Sequence, residues 1–248
     1  MARGDHLALR KLSLKVQLQV QQALKALELS KEFVEWVQAH PSPQWVFRGQ
    51  SQHWPTKPSV GRSPRYTLER ELLLLTHFKR HAPPHVGSAR LRNDWDWLFI
   101  AQHHGLPTRL VDWTVNPLVA AFFATDETAR GARGAGEVTA VRVRDVGFYD
   151  ATDAAVPPLA IEETRFVYPS ALASRIVSQR GLFSVHHSPD KNWVLRNKKA
   201  TFRIPADLKP RFRRFLLTLG VDASALMPGL DGLATTLRWK YERGVTFE

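Results

Sequence analysis

The stretch AQHHGLPTRLVDWTVNPLVAAFFA, residues 101–124, constrains the fold of this chain more than any other. Gly105 is placed to stop one helix, and Asn116 followed by Pro117 is an N-cap and first-turn pair that opens the next. The intervening residues must therefore cross between two apolar helices. Along that crossing lie Thr108, Arg109, Asp112 and Thr114, with Gln102, His103 and His104 in the turn before it. Polar groups set against a core cost free energy unless they are paired. Either they pin a buried turn, in which case Asp112 is the nearest carboxylate for Arg109, or they form the floor of a site.

The surrounding sequence reads as an α+β protein with a mixed or antiparallel sheet and flanking helices. Residues 11–29 are ambiguous. Leu12, Leu14, Val16, Leu18 and Val20 alternate as in a strand, whereas Ala23, Leu24 and Leu27 are spaced as in a helix. Ser30 can cap a helix over 31–39, and QWVFRGQ (44–50) reads as a strand breaking at Gly49. Helices are expected at 67–81, at 95–104 with Asp94 as its cap, at 117–129, at 207–219 and at the C-terminal PGLDGLATTLRWKYE. Strands are expected at 136–143, 181–188 and 198–205, with 51–65 and 145–170 as loops. Residues 1–29 read as an extension and 30–248 as a single domain.

Composition narrows the function classes. The 248 residues are 44% hydrophobic and 23% charged, enough to bury a core. There is no cysteine, which removes disulfides, thiolate metal sites and a cysteine nucleophile and suits a reducing compartment. No run approaches roughly 18 uninterrupted apolar residues, and the N-terminus lacks the apolar core of a secretory leader, so a cytoplasmic protein without a membrane span is expected. Lys and Arg number 35 against 23 Asp and Glu, a formal charge of +12 that attracts nucleotides or polyanions.

Several chemistries find no support. Adjacent histidines on a helix end point about 100° apart, so His103, His104 and Asp112 make a poor ligand set, and His186 and His187 face opposite sides of a strand. No metal site is expected. There is no G-x-S-x-G elbow and no Walker or Rossmann phosphate loop, and the glycines of RGARGAGE (130–137) read as a turn into a strand.

FRGQ (47–50), the following HWPTKPSVGR, the long stretch 101–124, RIVSQRGLF (175–183) and LMPGLDGLA (226–234) together resemble the FRG domain family, named for its Phe-Arg-Gly triplet and found across bacteria and their phages. In that family an aromatic, usually tyrosine, often stands where this chain has His104, so the resemblance points to His103 as the site histidine. The hydrophobic-aromatic-Arg-Gly strand is similar to the first motif strand of arginine-type mono-ADP-ribosyltransferases, where the arginine holds NAD. The resemblance thus implies an ADP-ribosyltransferase-like core, NAD as substrate and a macromolecular acceptor, in a toxin or phage-defence setting. Arg48, Gly49, Gln50, Gln102, Gly105, Thr108, Arg109 and Arg175 would bind the nucleotide. His103, Asp112 and Gln179 would carry the chemistry. The late E/Q-x-E pattern of those transferases is missing. Glu162, Glu163 and Gln179 are the nearest late substitutes, and Glu69 and Glu71 the early ones. A non-catalytic nucleic-acid-binding module is the alternative, resting on the +12 charge and on Arg and aromatic residues near 193–214.

Overall fold

The strand carrying Phe47, Arg48 and Gly49 lies near the middle of a single sheet. The computed structural model describes residues 2–86, 91–128, 133–153, 156–169, 180–195 and 199–246, with side chains from residue 14 onward. Among these, strands β1 (Trp45–Gln50), β2 (Leu110–Thr114), β3 (Gly136–Arg142), β4 (Phe148–Tyr149), β5 (Arg165–Val167), β6 (Gly181–Val185) and β7 (Lys199–Ile204) are ordered β4-β5-β6-β2-β1-β3-β7. All neighbours are antiparallel except β4 and β5, so the sheet is mixed and the fold is α+β. The helices are α1 (Ala2–Ala39), α2 (Leu68–His81), α3 (Asp94–His103), α4 (Pro117–Ala124), α5 (Lys209–Thr218), the single turn α6 (Ala223–Leu226) and α7 (Leu230–Glu242).

Strand register assigns the faces. Phe47 stands opposite Ala140 on one side and Thr114 on the other, so Phe47, Val138, Ala140, Phe202 and Ile204 share a face. That face is covered by α1, α4 and α5 through Phe33, Ala120, Ala124 and Phe212. Farther along the same face Leu110, Phe183 and Val185 pack on Leu75 of α2 and on Trp95, Leu98 and Phe99 of α3. The other face buries Val46, Val111, Trp113, Val141 and Leu182 beneath Leu195. Two groups of helices thus occupy one face, and the gap between them lies over β1 and β2.

Helix α4 comes unusually close to the sheet, and two glycines are the reason. A Cβ on Gly49 would stand 1.7 Å from the Ala120 carbonyl oxygen, and one on Gly136 would stand 2.1 Å from that of Ala124. The small residues of PLVAAFFA make the matching surface on the helix. Asn116 caps α4 as expected, its side chain accepting from the Leu118 N–H, and Pro117 fills the first turn.

Several expectations change in detail. Residues 11–29 belong to one continuous helix reaching Ala39, so the alternation of Leu14, Val16, Leu18 and Val20 does not mark a strand. These side chains are all more than half exposed, and no sheet neighbour is present to reward alternation, so the Leu, Lys, Gln and Ala content decides. Ser30 is interior to that helix and donates to the Ala26 carbonyl instead of capping. Asn93, one residue before the expected Asp94, is the cap of α3. The segment 145–170 holds β4 and β5, whose two and three residues are too short for a periodic signal.

Candidate functional site

Arg48 lies where the sheet is most weakly joined. β1 and β2 pair at one position, Phe47 opposite Thr114, while β1 and β3 pair over all six residues of β1. Beyond that single rung the link is a side chain: Arg48 Nη1 donates to the Asp112 carbonyl at 2.9 Å. Its Nε is sealed from solvent and has no hydrogen-bond partner among the described residues. Burial lowers the guanidinium pKa, the Asp112 carboxylate opposes that shift, and the Arg62 charge adds to it. Around this point opens a cleft of about 940 Å³, the size of a typical ligand pocket.

The cleft is walled by α4 through Val119, Ala120 and Phe123, and by the end of α3 through Gln102 and His103. Gly105, at φ +79°, turns the chain out of α3, a backbone conformation that favours glycine. Lys57 and Arg62 stand at the cationic side, with the Arg62 guanidinium held by two hydrogen bonds to the Lys57 carbonyl. Among the described residues Asp112 is the carboxylate that lines the cleft. It is the exposed member of a strand whose other residues are all buried.

The Asp112 carboxylate is oriented by a short relay. The Leu110 N–H donates to Thr108 Oγ1 at 3.1 Å, so that hydroxyl sends its own proton to Gln102 Oε1 at 2.6 Å. The orientation of the Gln102 amide follows: its nitrogen must face Asp112, and Nε2 donates to both carboxylate oxygens at 3.3 and 3.2 Å. Thr108 is itself buried and does not line the cleft, so it positions Gln102 and does not meet a ligand.

Arg109 does not pair with Asp112. It is 1% exposed and forms a bidentate pair with Glu71 of α2, Nε to Oε1 at 2.8 Å and Nη2 to Oε2 at 2.7 Å. Its Nη1 reaches the carbonyls of Pro158 and Leu159, and the Tyr66 hydroxyl also donates to Glu71. Burial together with the Glu71 charge pushes the Tyr66 pKa up to about 12. An odd spacing of three along an extended segment sends Arg109 and Asp112 to opposite sides, and Arg109, one residue before β2, reaches Glu71 at the start of α2. Arg109 is therefore removed from the nucleotide-binding set, and Glu71 is occupied as its counter-ion.

The face opposite α4 also carries a buried polar set. Trp113 Nε1 donates to Ser184 Oγ at 2.9 Å, and that hydroxyl passes its proton to His186 Nε2 at 2.8 Å. Burial, with the Arg48 and Arg109 charges adding to it, pushes the His186 pKa down to about 3.

Of the residues expected to form a site, Arg48, Gly49, Gln50, Gln102, His103, Gly105 and Asp112 share this one cleft. Gly49 serves α4 packing, a reason different from the ligand approach expected of it. His104 caps α3 and does not line the cleft, while its ring stands 4.9 Å from that of His103. Arg175 and Gln179 lie outside the described residues. Glu69 and Glu162 are exposed away from the cleft, and Glu163 pairs with Arg165. Sequence reasoning missed Trp54, Lys57, Arg62, Phe123 and Asn192 as lining residues. The run HWPTKPSVGR, read as loop and as part of the family resemblance, was the available signal for three of them. The aromatic residues near 193–214 are not a stacking platform: Phe202 and Phe212 are buried, and Trp193 packs edge-on against Trp113 and Phe166. Among the described residues no three His, Asp or Glu side chains converge as a metal site would require, and no helix is long and apolar enough to cross a membrane.

No curated protein and no solved structure matches the chain. The family model of the FRG domain matches residues 43–133, a span that runs from the cis Ser42–Pro43 bond before β1 to just beyond α4. That span holds Arg48, the α3 end, Asp112 and the α4 wall, and thus most of the cleft. The similarity to the FRG domain is thus confined to residues 43–133 of the 248.

Proposed function

We propose that the cleft binds an NAD-like dinucleotide and that the protein transfers ADP-ribose from it to a macromolecule. The observation that carries this reading is Arg48, a half-buried cation that lines the cleft with one nitrogen tied to the sheet. A guanidinium held in this way suits an anion with several oxygens, as a pyrophosphate has. Lys57 and Arg62 supply further positive charge, and Trp54 and Phe123 offer ring surfaces to a base or a nicotinamide. Asp112, held by Gln102, is placed to accept from a ribose hydroxyl and to stabilise the positive charge that develops on the ribose as its N-glycosidic bond breaks. It takes the part that the missing E-x-E glutamate plays in the transferases, with His103 beside it. A toxin or phage-defence role suits such chemistry.

Isothermal titration with NAD tests the binding. The wild-type protein binds NAD saturably, and Arg48→Ala weakens binding roughly 10- to 150-fold, the equivalent of one charge-assisted hydrogen bond of about 1.5–3 kcal/mol. A wild-type protein that ignores NAD but retards oligonucleotides, with affinity falling steeply as salt rises, replaces this reading with the nucleic-acid module.

A further inference from the structure

The stretch that leads from β1 into α2 carries a run of cations that the cleft uses only in part. Residues 57–70 hold Lys57, Arg62, Arg65 and Arg70 against one carboxylate, Glu69. Lys57 and Arg62 line the cleft, and Arg65 and Arg70 continue the run outside it. Two of these side chains are fixed to the backbone of the run itself. Arg62 donates to the Lys57 carbonyl through Nε and Nη2 at 3.1 and 3.0 Å, and Arg70 Nη1 reaches back to the Arg65 carbonyl at 3.4 Å. Arg62, Arg65 and Arg70 are exposed. Among the described residues none of the four forms a salt bridge, although Glu69 adjoins Arg70 and Asp190 is near enough to Tyr66 to act on its hydroxyl. Elsewhere on the surface Lys79, Arg92, Arg165 and Arg243 do pair with carboxylates.

Like charges set side by side repel one another, so the run gives the scaffold nothing and is relieved by a polyanion. Two partly exposed rings stand in the same run. Trp54 lines the cleft, and Tyr66 has its hydroxyl tied to Glu71 at 3.1 Å. Cations that follow one track with aromatic rings between them suit single-stranded nucleic acid, whose phosphates meet the cations while its bases stack on the rings. An acidic protein segment would use the charges and leave the rings without flat partners. We infer that residues 54–70 form a docking strip for single-stranded nucleic acid, which runs past Arg70 and Arg65 to the mouth of the cleft at Arg62 and Lys57. The inference goes beyond the nucleotide reading. It names the kind of macromolecule brought to the cleft, and it stands whether or not the cleft holds NAD.

Fluorescence anisotropy of the full-length chain with a fluorescein-labelled dT oligonucleotide of about 20 nucleotides, enough to span one such groove, is the test. The wild type binds it saturably. Four phosphate contacts at roughly 0.7 each give a log–log dependence of affinity on salt with a slope of about −3. Arg65→Ala combined with Arg70→Ala removes two contacts, so the slope shrinks by about 1.4 and affinity at about 0.1 M salt falls about 25-fold. Neither residue lines the cleft, so NAD titration of this variant matches the wild type. The control is Arg203→Ala combined with Arg238→Ala, which removes the same charge from exposed positions on β7 and α7. It binds the oligonucleotide within about twofold of the wild type, because charges distant from the strand are screened. An equal loss in the control assigns the binding to the overall charge and overturns the strip. So does a wild type that ignores the oligonucleotide, including one that binds polyglutamate or phosphatidylserine vesicles instead. A wild type that ignores NAD, with oligonucleotide binding that the strip variant loses, overturns the nucleotide reading and leaves the strip standing.

Discussion

Replacing Arg109 with alanine removes a guanidinium that is 1% exposed and leaves the Glu71 carboxylate, whose side chain is 3% exposed, without its counter-ion. Two short hydrogen bonds to Glu71 are lost, and the carbonyls of Pro158 and Leu159 lose their donor. The Tyr66 hydroxyl is the remaining partner of the carboxylate and cannot neutralise it. Breaking a buried pair from one side costs about 3–5 kcal/mol. That is a large part of the roughly 5–15 kcal/mol that stabilises a typical domain. At roughly 2–4 °C per kcal/mol for a chain of this size, the melting temperature falls by about 6–20 °C. Glu71→Ala strands Arg109 and has a similar effect. The double variant Glu71→Leu with Arg109→Met removes both charges and keeps most of the volume, so it should lie much closer to the wild type than either single change. Thermal melts followed by circular dichroism, with urea titrations for the free energies, measure all four proteins. An Arg109→Ala protein melting within about 2 °C of the wild type would refute the argument, since a buried, unpaired carboxylate cannot be that cheap.

Other outcomes follow from the same geometry. Asp112→Asn changes an exposed side chain, so the melting temperature should stay within about 2 °C of the wild type while NAD cleavage is lost, and a large drop in stability would return Asp112 to the scaffold. Gly49→Ala places a methyl group against the Ala120 carbonyl, which belongs to the backbone and cannot swing aside, so a loss of about 3 kcal/mol or more, or insoluble protein, is expected on expression. His186 is held neutral in the folded state with its pKa lowered to about 3, whereas the unfolded chain takes up a proton near pH 6.5. Its contribution to stability is complete above that pH and is lost as pH falls from about 6.5 toward 3. The drop in melting temperature across that window should be shallower in His186→Gln, and parallel curves for the two proteins would count against the assignment.

The local signals in the sequence were legible and the long-range partnerships were not. Asn116–Pro117 and the Gly105 stop are written in consecutive residues, and so is the Phe-Arg-Gly strand. They mark out the segments that surround the cleft. Arg109 shows where that reading ends. Its counter-ion lies 38 residues earlier on α2, and no spacing rule links the two, while the nearer Asp112 is excluded by strand alternation alone. Cleft residues such as Phe123 and Asn192 carry nothing local to separate them from a core aromatic and a loop amide. Alternation in α1 misled because period two marks a strand only where a neighbouring strand and a buried face exist to use it.

The seating of α4 on Gly49 and Gly136 bears on how this cleft could change its ligand over time. Two helix carbonyls occupy the space where side chains would begin, so neither position tolerates even a methyl group without moving the helix. Both glycines belong to the frame, and they must persist in any descendant that keeps the cleft, whatever it holds. A shift in specificity would be recorded instead at lining residues such as Trp54 and Asn192, whose backbone is not pressed against a helix carbonyl. Two descendants could thus share every glycine and differ in what they bind. The Phe-Arg-Gly triplet would then be read in two parts: its glycine reports the scaffold, and its arginine the charge of the guest.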